Sequence, residues 1–198
     1  NSPYLTADPN SNSKETSLRY NLFTSGGDGV FNCVKDLQFA QNVRRICIGS
    51  WSFKQLDHLT IDNLPYLSLF SVGNDSMCYI MEKDTRLGEN WKSAEETSTI
   101  PRRPLAITNC PKLGLVSIRS MSFWGFNSFV VKNCNQLERV ELGDSVMVLC
   151  FVVEISNCAR LQSLLVGQKT FRSFGIVRLE NLPSLEEISL DDYAMSSS

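Results

Sequence analysis

Residues 129–143 read FVVKNCNQLERVELG, and close versions of this segment recur along the chain. Three of them, at 105–119, 153–167 and 177–191, are placed so that the asparagine returns every 24 residues. An earlier version at 59–73 begins 46 residues before the next one, which is one period and an insertion. Internal repeats with periods of about 20 to 50 residues indicate a solenoid or another repeat array.

Each copy contains two short stretches with apolar residues at alternating positions, which predict two β-strands. In the quoted segment the first stretch has Phe129 and Val131, and the second has Val140 and Leu142. Alternation turns every second side chain to the same face of a strand, so these residues are predicted to face a core. The link after Gly143 is short for a helix of typical length and predicts a turn or a single helical turn. The sequence therefore predicts a mainly β solenoid with two short strands in each 24-residue coil.

The asparagine and the residue after it occupy one corner of each predicted coil, where they can stack. An amide both donates and accepts hydrogen bonds, so stacked asparagines would form a ladder that satisfies corner groups shielded from water. Free cysteine is one of the most buried residue types, which predicts a stack of buried thiols and argues against a metal or redox site. The predicted structural ladder contains Asn63, Asn109, Asn133, Asn157, Asn181, Cys110, Cys134 and Cys158.

The segment LPSLEEISL, residues 182–190, resembles the leucine-rich repeat family, and the period of 24 residues lies within that family's range. The glycine after the strand and the large apolar residue that follows it, as in Gly143 and Met147, are similar to the surface-antigen (BspA-like) class of these repeats. The resemblance covers residues 37–195 with one interruption and implies a leucine-rich-repeat-like right-handed solenoid of about six coils. The common family consensus has asparagine or cysteine where this chain has the glycine, so a parallel β-helix is the alternative architecture.

The charge balance and the histidine count argue against several classes of function. Lysine and arginine number 19 against 21 aspartate and glutamate, so the chain lacks the basic excess that favours nucleic-acid binding. The longest apolar run, Val146–Val153, is much shorter than the about 20 residues of a membrane span. The single histidine, His58, excludes a multi-histidine metal site and is predicted to be an exposed or corner residue. We expect no catalytic residues, no metal and no cofactor.

Two segments depart from the repeat. Residues 1–17 are rich in Asn, Ser and Pro, which predicts a flexible N-terminal arm before a single solenoid over residues 18–198. Residues 80–101 are charged and lack the repeat pattern. We interpret this segment as an inserted surface loop, where binding residues often collect, and a degenerate coil is the alternative.

The cysteines bear on the cellular compartment. Their number, 7, is odd, which argues against a closed disulfide framework. Unpaired thiols favour a reducing compartment such as the cytoplasm. The family resemblance instead implies the cell surface, and the two locations stay open.

The outward slots and the turns supply candidate contact residues, because Trp, Tyr and Arg dominate binding hot spots. The candidates are Arg45, Arg139 and Glu141 in outward slots, Trp51 and Trp124 at turns, and Trp91 with the pair Arg102–Arg103 in or beside the insertion. We expect a non-enzymatic protein–protein interaction scaffold that displays a recognition face. One alternative is a structural array that self-associates end to end through the C-terminal coil. Another is a carbohydrate-binding or carbohydrate-active β-helix, although the outward slots contain no paired carboxylates for that chemistry.

Overall fold

The computed structural model describes residues 17–20, 39, 41–53, 56, 58–77, 103–172 and 175–195. Their regular secondary structure consists of the strands β1 (Ser17–Tyr20), β2 (Arg45–Ile48), β3 (Leu59–Asp62), β4 (Leu69–Val72), β5 (Pro104–Thr108), β6 (Leu115–Ile118), β7 (Ser128–Lys132), β8 (Arg139–Leu142), β9 (Val152–Ser156), β10 (Ser163–Val166), β11 (Ile176–Glu180) and β12 (Glu187–Leu190). The predicted arm, apart from Ser17, and the predicted insertion with Trp91 lie outside the described residues.

The strands form two parallel sheets, and from β2 onward the chain alternates between them. We call the seven-stranded sheet the front sheet, and its order is β1-β2-β4-β6-β8-β10-β12. The five-stranded back sheet has the order β3-β5-β7-β9-β11. Equivalent residues of successive coils pair in register, as Arg139 does with Ser163, and β4 pairs with β6 across the insertion. The predicted mainly β solenoid with a spacing of about 24 residues is therefore confirmed.

The core lies between the two sheets and contains the residues predicted to face inward. On β8, Val140 and Leu142 are buried, and on β7 Phe129 and Val131 are buried. At the turn that follows the front strands, the core is completed by a row that alternates phenylalanine and methionine: Phe53, Met77, Phe123, Met147, Phe171 and Met195. The prediction of a stack of buried thiols is confirmed, because three free cysteines are buried in successive coils: Cys110, Cys134 and Cys158.

At three positions in each coil, the backbone changes direction through a residue in the left-handed region of φ and ψ. In the first slot stand the five corner asparagines, with φ between 52° and 56°. Asparagine adopts this conformation more readily than most other residues with a side chain. The second slot contains Trp51, Asp75, Met121, Ser145, Lys169 and Tyr193, and the third contains the phenylalanine–methionine row. Backbone hydrogen bonds between coils hold these corners, for example from the Met121 N–H to the Asp144 carbonyl oxygen at 2.8 Å.

The asparagine side chains form the predicted ladder along one corner. Each Nδ2 donates to an Oδ1 one coil earlier, at 2.8 to 3.0 Å, through Asn181, Asn157, Asn133 and Asn109. The Nδ2 of Asn109 donates to Asp62 at 2.8 Å, so the ladder ends at this carboxylate and not at Asn63 as predicted. The ladder asparagines are exposed, so the prediction that they serve groups shielded from water is wrong. Hydrogen bonds from Thr108 and Asn109 hold the pKa of Asp62 below its usual value.

A row of buried hydroxyl groups links the coils at the turn after the front strands. The Ser122 hydroxyl donates to the Gly73 carbonyl oxygen at 2.7 Å and accepts the Ser76 N–H at 3.2 Å. Equivalent contacts are made by the hydroxyls of Ser76 and Thr170. Each hydroxyl therefore satisfies one donor and one acceptor of the preceding coil, in a place that the core shields from water.

Candidate functional site

The outward side chains of the front sheet form a surface of two straight rows, which we call the front face. The first row contains Arg45, Leu69, Leu115, Arg139, Ser163 and Glu187, of which Ser163 is buried. The second row contains Cys47, Ser71, Ser117, Glu141, Leu165 and Ser189. Because neighbouring strands of a sheet lie about 4.8 Å apart, a partner on this surface would contact several coils at once.

An apolar pair lies in the first row of the front face. Leu69 and Leu115 are direct neighbours in register, although the insertion separates them in sequence. Arg45 lies beside Leu69, and Arg139 lies beside Leu115. This arrangement offers apolar contact in the middle and guanidinium groups on both sides, which bind carboxylates in a planar, bidentate manner.

Large exposed apolar side chains border the front face at the turn after the front strands. Trp51 and Met121 occupy the same slot of the coil and are 55% and 52% exposed. Trp124 follows Met121 on the same turn and is 40% exposed. We call Trp51, Met121 and Trp124 the apolar edge. Single exposed apolar residues are ordinary, but a group of large ones along one edge is typical of an interaction surface.

The charge of the front face changes sign along the solenoid. Arg45 on β2 and Arg139 on β8 are exposed, and the exposed Arg119 stands next to the front face in the slot that holds glycine in most other coils. Glu141 pairs with Arg139, with 3.2 Å between Oε1 and Nη1. Such an exposed pair stabilises a fold by at most about 1 kcal/mol, so Arg139 is available to a stronger partner. The last coil presents Glu187 in the same row as Arg45.

The structure brings together five of the residues predicted to contact a partner. Arg45, Arg139 and Glu141 lie on the front face. Trp51 and Trp124 lie on the apolar edge beside it. These five residues come from three coils, and the parallel register of the front sheet places them on one side of the molecule.

Three further candidate contact residues lie in or beside the insertion: Trp91, Arg102 and Arg103. Trp91 and Arg102 lie outside the described residues. Arg103 is only 7% exposed, and its backbone N–H donates to Asn127 Oδ1 at 2.9 Å, so its prediction as a surface contact is wrong. The sequence analysis missed Met121 and Arg119. Counting by the period after removal of the insertion would have placed Met121 in the slot of Trp51.

Metal-binding residue types are dispersed in the described part of the chain. There, no group of three or more His, Cys, Asp and Glu side chains could hold a metal ion. His58 is exposed, as predicted. Burial raises the pKa of the Cys150 thiol, which keeps it protonated and unreactive at neutral pH. The described residues include no helix with the length and apolar character needed to cross a membrane.

No family model, no curated protein and no solved structure matches the chain. The resemblance to the leucine-rich repeat family therefore stays a prediction drawn from the repeat itself. What the structure adds is the strand register, which places the candidate residues side by side on the front face.

Proposed function

We propose that this chain is a non-enzymatic scaffold that binds another protein through the front face and the apolar edge. The observation that carries the proposal is the concentration of tryptophan, methionine and arginine there, because these residue types are enriched in the cores of protein interfaces. Trp51, Met121 and Trp124 offer large exposed apolar surfaces, and Arg45 and Arg139 flank the leucine pair. The resemblance to leucine-rich repeats supports the same role.

Rigid display is the proposed mechanism of binding. Each internal front strand pairs with a parallel neighbour on both sides. The hydroxyl row and the asparagine ladder fix the turns at both ends of the coil. A surface that is fixed before binding loses little conformational entropy on association, so a few good contacts suffice for affinity.

The chemistry of the surface indicates a partner segment that carries both apolar and acidic side chains. Arg45, Arg119 and Arg139 supply positive charge around the leucine pair and the apolar edge. Two carboxylates are nearby: Glu141 is paired with Arg139, and Asp75 occupies the slot of Trp51 and Met121 on the coil between them. Complementary charges steer encounter and suppress wrong partners, so a strongly basic segment would be disfavoured here.

Capture of a protein from a lysate, with matched variants as baits, tests the proposal. The front variant carries Arg45→Ala, Trp124→Ala and Arg139→Ala. The back variant carries Thr60→Ala, Val130→Ala and Arg178→Ala, at outward positions of the back sheet. We expect the intact chain and the back variant to retain the same protein, and the front variant to bind it at least about tenfold more weakly, because hot-spot truncations each cost more than ~1 kcal/mol.

Two results would overturn this choice of surface. One is equal capture by all three baits, and the other is loss of capture by the back variant alone. Melting temperatures of the purified variants control for folding. They should match that of the intact chain, since the substituted side chains lie outside the core.

A further inference from the structure

Where the front face crosses β2, β4 and β6, small side chains lie between two borders of larger ones. One border is the first row, with Arg45, Leu69 and Leu115. The other is the apolar edge, with the exposed Trp51 and Met121. The second row between them supplies only small side chains: Cys47, Ser71 and Ser117. We call this part of the face, with its two borders, the trough. Its long axis runs across the strands, along the axis of the solenoid.

Glycine keeps the trough open on the side of the apolar edge. The residue after each front strand continues the hydrogen bonds of the sheet, as the Gly73 N–H does by donating to the Ile48 carbonyl oxygen at 2.8 Å. A Cβ on Gly73 would lie 2.5 Å from the Ser50 nitrogen, which is too close for any other residue without a shift. The equivalent residue of the next coil is Arg119, whose exposed side chain stands on this side of the trough.

The width of the trough fits one α-helix. Leu69 and Gly73 are four residues apart along the chain, which corresponds to about 13 Å at ~3.3 Å per residue. A helix with its side chains is about 10–12 Å across. An extended peptide on the face of a sheet would turn its N–H and C=O groups toward side chains, whereas a helix pairs these groups internally. Beside an apolar pair such as Leu69 and Leu115, the internally paired backbone is favoured.

The spacing of the first row also fits a helix that lies along the solenoid axis. Leu69, Leu115 and Arg139 follow Arg45 in register, at distances of about 4.8, 9.6 and 14.4 Å for successive strands. On a helix, positions i+3, i+7 and i+10 follow position i at about 4.5, 10.5 and 15 Å along the axis. One face of a helix can therefore contact all four residues, with apolar side chains at i+3 and i+7 on the leucine pair. Arg139 is shared with Glu141, at 3.2 Å.

Positive charge is concentrated at the Arg45 end of the trough. Residues 41–53 carry Arg44 and Arg45 and no acidic residue, and both arginines are exposed. Asp75 lies one coil later, at the turn and outside the first row. A guanidinium group binds a carboxylate through two parallel hydrogen bonds. An acidic side chain at the end of the helix that meets Arg45 is therefore the best match to this surface.

We propose that the partner segment is an acidic amphipathic α-helix that lies in the trough along the axis of the solenoid. Its carboxylate at position i meets Arg45, its apolar side chains at i+3 and i+7 contact Leu69 and Leu115, and a second carboxylate at i+10 meets Arg139. This inference rests on the proposed function and names the class of partner that the same surface binds.

Binding of synthetic peptides to the full chain, measured by fluorescence anisotropy at low salt, tests the proposal. The probe is a labelled alanine-rich peptide of about 18 residues, long enough to form a helix in water, with glutamate at i and i+10 and leucine at i+3 and i+7. The matched control exchanges the glutamates and the leucines, so its composition is the same. We expect the probe to bind saturably and the control to bind at least about tenfold more weakly, because the control loses the charged and the apolar contacts together.

Charge reversal at Arg45 places the helix on the trough. We expect Arg45→Glu to weaken binding of the probe about threefold to tenfold, because a repulsion between exposed charges replaces an attraction. A probe with lysine in place of one glutamate should bind Arg45→Glu more tightly than it binds the intact chain. Arg178→Glu changes an exposed outward position of the back sheet and should leave binding unchanged. Circular dichroism of both variants controls for folding.

A probe with proline between the two leucines separates a helix from an extended peptide, because proline inside a helix disrupts it. We expect this probe to bind at least about tenfold more weakly, and equal binding would overturn the helical assignment. Equal binding of the probe and its matched control would also overturn it, as would equal effects of Arg45→Glu and Arg178→Glu. Capture of a protein through the front face without binding of the probe would overturn the helical partner alone. Failure of both experiments would overturn the proposed function as well.

Discussion

Single residues at the corners of the coil carry a conformational cost that the fold has to offset. A residue with a side chain costs ~1–2 kcal/mol in the left-handed region, and asparagine is among the few exceptions. Asparagine at the first corner slot is explained by this property. Trp51 and Met121 have φ of 62° and 60° and no such advantage, yet their side chains are largely exposed. Backbone hydrogen bonds between coils hold this slot in the left-handed region in every coil, so the conformation follows from the fold, and only the exposure of the two side chains supports the proposed role of the apolar edge.

At Asn157, the contribution of backbone strain to stability can be measured separately from that of the side-chain hydrogen bonds. Its φ is 55°, its Nδ2 donates to Asn133 at 3.0 Å, and its Oδ1 accepts from Asn181 at 2.8 Å. Glycine at this position removes both side-chain bonds and keeps the backbone relaxed, whereas leucine removes both and adds strain. We expect Asn157→Leu to lower the free energy of unfolding by about 1–2 kcal/mol more than Asn157→Gly does, measured by chemical denaturation.

One result of comparing Asn157→Leu with Asn157→Gly would contradict this expectation. If both lower the free energy of unfolding equally, the ladder bonds and not the backbone conformation make asparagine necessary. That outcome would contradict the assignment of the corner as a strained position. The exposure of Asn157 argues against it, because water replaces lost hydrogen bonds at a surface.

At the scale of elements, the strands are the part of the fold that sequence predicts well. Their alternation depends only on which side chains are apolar, and it placed Val140 and Leu142 in the core correctly. The turns could not be predicted in the same way. Their second corner slot holds apolar, acidic and basic residues alike, because backbone hydrogen bonds between coils determine the conformation there. A serine such as Ser122 in a turn is usually exposed, and its burial depends on the stacking of coils.

The front face shows the same division between what sequence predicts and what it does not. Alternation placed Arg45 and Arg139 in outward slots, and the register confirms that they share a row. The alignment of residues 59–73 with 105–119 also gives Leu69 and Leu115 equivalent outward slots, and the register confirms that they are neighbours across the insertion. Met121 was missed because the candidates were chosen among Trp, Tyr and Arg, and methionine is not one of these residue types.

The buried hydroxyl row is the element whose contribution to stability can be measured most directly. Ser122→Ala leaves the Ser76 N–H and the Gly73 carbonyl oxygen without their partner inside the core. We expect a loss of about 1–3 kcal/mol in the free energy of unfolding, measured by chemical denaturation. Ser122→Thr should cost less than ~1 kcal/mol, because threonine makes these contacts at Thr170. Ser117→Ala on the front face is the control for removal of a hydroxyl, and a loss equal to that of Ser122→Ala would contradict the role of the row.

At the scale of the whole molecule, the contributions to the free energy of unfolding are distributed coil by coil along the axis of the solenoid. Each coil contacts only its neighbours, so the free energy of unfolding is close to a sum of coil terms and interface terms. The last described coil has one described neighbour, and its inward residues are partly exposed. Its packing therefore contributes less than that of an internal coil, and it is the part of the described solenoid that should open first.

Leu142 and Leu190 test this distribution, because they are the same residue in the same slot two coils apart. Leu142 is 4% exposed and Leu190 is 48% exposed. We expect Leu142→Ala to lower the free energy of unfolding by about 2–5 kcal/mol, the usual range for a buried leucine. Leu190→Ala should cost about 1–2 kcal/mol, because roughly half of its apolar surface is already in water. Chemical denaturation of dilute protein measures both, and equal losses would contradict one-dimensional stability.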